Sequence, residues 1–157
     1  MTKTLPWIIL VGLATVLLTI SFSQPQLIND QNTFLKEFVS DQLLATLGFI
    51  LTVTLASAAS LHLELNKIED ATGKPFTRTR KSVKRSAYSL MVLFGSATVL
   101  VIVKPLLPPP PFNAAVANAF AIIIIYFNLS VLYDLTRTVF KIPSISAINA
   151  NEEDSPG

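Results

Sequence analysis

Residues 42–70 read QLLATLGFILTVTLASAASLHLELNKIED, and the reading of this stretch decides the architecture. Residues 42–61 carry no charge. A helix needs about 20 mostly apolar residues to cross a hydrocarbon core roughly 30 Å thick, so this run is long enough to span one. Leu61, Leu65 and Ile68 then continue the helical period among Glu64, Lys67 and Glu69. The helix is therefore expected to outlast the bilayer and to stop near Gly73, ahead of Lys74 and Pro75.

Three more stretches meet the same length criterion, residues 6–23, 86–103 and 112–133. Over 157 residues, 51% are hydrophobic and 14% charged, too apolar a balance for an ordinary soluble domain. The first stretch follows Lys3 and has a weak cleavage-like Ser21-Phe22-Ser23, yet Pro6 suits a first helical turn and Trp7 the headgroup level. It reads as a retained anchor helix.

The expected fold is an all-α integral membrane protein, a bundle of four transmembrane helices. The first covers residues 6–23, and an external amphipathic segment 27–40 leads to the second, 42–65, with a cytoplasmic extension to about 72. The third covers 82–104, a proline-rich outer turn 105–112, and the fourth 113–140, completing a membrane domain of residues 1–143. A cytoplasmic helical hairpin joins the second and third helices, and residues 144–157 read as a flexible cytoplasmic tail.

Charge sets the orientation, because Lys and Arg accumulate on the cytoplasmic side. Lys3, Lys67, Lys74, Arg78, Arg80, Lys81, Lys84, Arg85, Arg137 and Lys141 fall on one side of this topology, Lys36 and Lys104 on the other. Both termini are then cytoplasmic, and a chain of this kind suits a bacterial inner membrane. Lys104 and Arg85 are expected to reach outward to the two interfaces from a short third helix.

Chemistry is sparse. There is no cysteine and one histidine, His62, so thiol chemistry, disulfides and a two-histidine metal site are excluded. No phosphate loop, zinc motif or nucleophile elbow is present, and no acidic residue lies deep in an apolar segment. We expect no enzyme, no metal site and no cofactor.

The apolar segments instead carry helix-packing material. Gly48, Thr52, Leu55, Ala59, His62, Asn66 and Glu69 follow a 4-3-4-3-4-3 spacing and form an expected packing or oligomer seam. Lipid gives helices no hydrophobic reason to associate, so small residues and interhelical hydrogen bonds supply the contact. Asn118 and Asn128 add intramembrane polar groups that need partners. At the water end, Arg78, Arg80, Lys81, Lys84 and Arg85 form a basic cluster suited to anionic headgroups or an acidic partner. No aromatic residue interleaves with them to stack bases, which speaks against nucleic acid.

These features define two expectations. The first is a small homo-oligomer that acts through helix assembly as a pore-forming or membrane-perturbing effector. The alternative is a non-conducting anchor or sensor subunit that recruits a soluble cytoplasmic protein through the basic loop, residues 74–85. In either, His62 marks the polar end of the seam, as a hydrogen-bonding or pH-responsive contact.

Overall fold

The computed structural model describes residues 5–73, 75–108 and 111–140. Every element among them is helical. Helix α1 spans Leu5–Ser23, a 3-10 turn Pro25–Leu27 follows, and a short α2, Thr33–Glu37, leads through a kink into α3, Leu43–Thr72. Then come α4, Thr77–Val103, a second 3-10 turn Lys104–Leu106, and α5, Pro111–Val139. Three helices are long and apolar enough to cross a membrane: Thr33–Ala71 taken through the kink, Thr77–Leu106 and Pro111–Val139. In α1 the apolar run is shorter, Trp7–Ser23. The expected tail, Lys3, Lys74, Lys141 and two of the four consecutive prolines lie outside the described residues.

The helices form a row. α1 packs on α5, α5 on α4 and α4 on α3, while α1 and α3 occupy the two edges. The chain turns at Pro25, Pro105, Pro108 and Pro111 at one end, the proline end, and at the α3–α4 hairpin at the other, the basic end. Two apolar clusters hold the proline half. Leu17, Ile28 and Leu35 pack on Ala115 and Ala119, and Val39, Leu43 and Leu47 pack with Ala97 and Ala121. Alanine at these positions lets helix backbones approach closely, the main source of attraction where lipid surrounds a protein.

The segment between α1 and α3 is less regular than a single amphipathic helix. Asn32 caps α2 by accepting the Leu35 N–H at 3.2 Å, but the backbone leaves helical dihedrals at Val39 and Ser40. The kink divides the expected apolar face. Ile28, Leu35 and Val39 turn inward, whereas Leu27 and Phe34 stay exposed and Phe34 stacks on Phe38.

Two further boundaries differ from expectation. α4 begins at Thr77, five residues before the expected start of the third helix, and Phe76 holds its cap position with no side-chain cap hydrogen bond. α5 begins at Pro111, where proline's fixed φ suits a first turn. Leu107 just ahead of it has polyproline-like dihedrals, φ −70° and ψ 141°.

Candidate functional site

Along α3 the fold buries Leu47, Thr54, Leu65 and Ile68, with Leu51, Ala58 and Leu61 half-buried between them. These positions have the same 4-3-4-3-4-3 spacing as the expected seam, displaced by one residue. One residue is about 100° on a helix, so the most deeply buried face of α3 lies beside the expected seam. Its members divide. Gly48 faces α4, where the Phe94 ring would lie 3.4 Å from an added Cβ. Leu55, Asn66 and Glu69 are half-buried, and Thr52, Ala59 and His62 are exposed. His62 makes no side-chain hydrogen bond to a described residue.

Several hydroxyls in the apolar helices bond their own backbone. Thr52 donates to the Gly48 carbonyl at 2.9 Å, Ser57 to Val53 at 2.9 Å and Thr98 to Phe94 at 3.0 Å. Bonds of this kind to the preceding turn remove the need for a partner on another helix. The α3 face therefore offers small size rather than unmet polarity.

The two intramembrane asparagines differ more sharply. Asn118 is fully buried, and its amide donates to the Ile28 carbonyl at 2.8 Å and to Asp30 Oδ1 at 3.2 Å. Asp30 also pairs with Lys104 at 2.8 Å, and the Lys104 side chain is only 9% exposed. Lys104 folds back onto the α1–α3 connection and ties the end of α4 to it. Burial alone would raise the Asp30 pKa. Hydrogen bonds from Lys104 and Asn118 and the charges of Lys104 and Lys36 outweigh that, holding the carboxyl below the usual range. Asn128 is equally buried but makes no such tie to another described segment, and its Oδ1, like that of Asn118, has no hydrogen-bond partner.

At the basic end, Gly73 takes the left-handed conformation, φ 66°, and its N–H bonds the Glu69 carbonyl at 2.8 Å. Glycine adopts this conformation at no steric cost and ends the helix. The Glu69 carboxylate then clasps the hairpin. One oxygen accepts the Phe76 N–H at 2.6 Å, and the other accepts Arg80 Nη2 at 2.6 Å. The same nitrogen donates to Asn66 Oδ1. Arg80 is thereby withdrawn from the expected basic cluster. Arg78, Lys81, Lys84 and Arg85 remain exposed, and no described carboxylate pairs with them. Asp134 and Arg137, spaced for an i, i+3 contact, form no ion pair.

Below this cluster, α4 and α5 line a surface groove of about 630 Å³. Lys81, Lys84 and Arg85 stand at its mouth. Tyr88, Ser89, Val92, Leu93, Phe127 and Val131 form its walls. The Lys84 ammonium lies 5.8 Å from the Tyr88 ring centroid, within cation–π range. Trp7 of α1 meets Phe127 edge-on at 6.1 Å. The groove was not foreseen, because its walls come from two helices whose relative rotation the sequence does not state. Lysine one turn before tyrosine, then valine and leucine, was its only signal.

Among the described residues, no group of three or more acidic or histidine side chains is placed to hold a metal ion. The arrangement offers cations beside an apolar slot, suited to binding an anion with a hydrocarbon part. Comparison of the chain with protein-family models, with curated proteins and with solved structures finds no match.

Proposed function

We propose that the chain is a four-crossing membrane protein of a bacterial inner membrane, with both termini cytoplasmic, that assembles with copies of itself and permeabilises or perturbs the bilayer. The observation that carries this reading is the open row. α3 is an edge helix whose far side exposes Thr52, Ala56 and Ala59 at membrane depth, and small residues of this kind let a second helix approach closely. α1 supplies the fourth crossing in this reading. Its 19 residues extend about 28 Å at the helical rise, close to the hydrocarbon thickness. The test is the mass of the protein in mild detergent together with ion leak from vesicles containing it. An oligomer that leaks is expected, and a monomer that leaks nothing overturns the proposal.

A second reading has its own support in the Glu69–Arg80 clasp. It ties the hairpin together while Arg78, Lys81, Lys84 and Arg85 stay exposed, as a docking surface for an acidic soluble protein would require. In this reading the membrane part is an anchor or sensor subunit. Charge reversal at Arg78, Lys81 and Arg85 should abolish recruitment and leave assembly intact, and recruitment that survives the change contradicts it.

A further inference from the structure

The geometry points to a site for one anionic phospholipid in the α4–α5 groove, with its headgroup on Lys81, Lys84 and Arg85 and one acyl chain along Val92 and Val131. The inference rests on the membrane-spanning part of the proposed function and is independent of subunit assembly. Three features select a lipid over other anions. First, the cations lie at one end only, and the walls beyond Tyr88 are apolar apart from Ser89. A soluble anion would use the mouth and leave the slot empty, whereas a phospholipid fills both.

Second, the length matches. From Lys81 to Leu93 the helix rises about 18 Å, close to half of a hydrocarbon core roughly 30 Å thick plus the reach of the headgroup. Third, Tyr88 lies between the charges and the apolar walls, with Lys84 over its ring. Tyrosine concentrates at that level of a bilayer because its ring is apolar and its hydroxyl wet. Arg80 is spent on Glu69 and Asn66, and Arg78 is not part of the groove. The site therefore uses a defined subset of the basic cluster rather than its net charge.

The protein carries its own probe. Trp7 is its only tryptophan, and it touches Phe127 of the groove wall. The full chain is placed in phosphatidylcholine bilayers containing a minor fraction of chain-brominated lipid, which quenches tryptophan fluorescence on contact. Brominated phosphatidylglycerol is compared with brominated phosphatidylcholine at the same fraction. The wild-type protein should show a preference of about tenfold for the anionic lipid. Equal quenching by the two lipids overturns the site, including the case in which the same cations bind a soluble acidic protein instead.

Three variants locate the effect. The combined change Lys81→Gln, Lys84→Gln and Arg85→Gln should bring the preference to unity. Val131→Phe, which narrows the slot and keeps every charge, should lower it several-fold, and Arg78→Gln should preserve it. A preference that survives Val131→Phe intact, or falls as far with Arg78→Gln as with the triple change, overturns the site in favour of diffuse surface attraction. The wild-type comparison needs no substitution, so it stands even if a variant misfolds. Selective quenching by a monomer would refute assembly and leave the lipid site in place.

Discussion

The proline half and the basic half of the row are made from the same four long helices, yet they hold together by different means. In the proline half the connection between α1 and α3 wedges Ile28, Leu35 and Val39 between helices lined with alanine. Asp30, Lys104 and Asn118 then tie three chain segments with hydrogen bonds. α5 shows the contrast along its own length. Near its start Ala115, Ala117, Asn118, Ala119 and Ala121 are all buried, whereas further on burial narrows to Asn128 and Leu135. Along this stretch a groove opens between α4 and α5, lined by Phe127 and Val131. One half is closed by neighbours in the same chain, and the other leaves surface for lipid or another subunit.

The comparison can be broken most forcefully at Asp30. Asp30→Ala would leave a nearly enclosed Lys104 without its partner and Asn118 without one acceptor. We expect a loss of about 2–3 kcal/mol in unfolding from detergent, discounted from the cost of a fully buried pair because Asp30 is partly exposed. Adding Lys104→Met should recover most of that loss, since an apolar pair avoids the stranded charge. If the single change costs nothing, the proline half is not held by this network.

A smaller difference separates the asparagines. Asn118→Leu should destabilise by about 1–2 kcal/mol, because the Ile28 carbonyl loses its donor. Asn128→Leu should be neutral or stabilising, since it removes a buried amide that, unlike Asn118, makes no tie to another described segment. Paired thermal unfolding of the two variants checks the ordering, and equal losses would erase the distinction between the halves.

At the basic end, Glu69→Ala should cost about 1 kcal/mol. Its sharper readout is local, faster hydrogen exchange at the Phe76 amide with the proline half unchanged.

The smallest effect concerns acid. The Asp30 carboxyl is held below its ordinary pKa in the folded protein, so the pair contributes fully above the unfolded value of about 3.9 and its contribution is lost as pH falls through the folded value. The wild-type protein should lose stability relative to Asp30→Asn only below about pH 4, and the two should run parallel near neutrality. A difference confined to higher pH would assign the effect to another group.

The helical class was legible because hydrocarbon thickness acts on a property of the chain that can be counted along it. Which face of α3 packs within the subunit was not. The positions from Leu47 to Ile68 and those from Gly48 to Glu69 share one period, and counting cannot choose between them. Size was the clue taken for Thr52 and Ala59, but Thr52 bonds its own helix and Phe94 lies against Gly48. The Asp30–Lys104 pair was hidden for another reason. Its partners are remote in sequence, and only the 3-10 turn after α4 and the folded connection after α1 bring them together.

The most direct test of assembly uses the absence of cysteine from the chain. Thr52→Cys, Ala59→Cys and, as a buried control within the subunit, Ala115→Cys would be oxidised separately in membranes. The open edge predicts disulfide-linked dimers from Thr52→Cys and Ala59→Cys, and none from Ala115→Cys. No dimer at either α3 position, with the protein inserted and folded, would contradict assembly through that face.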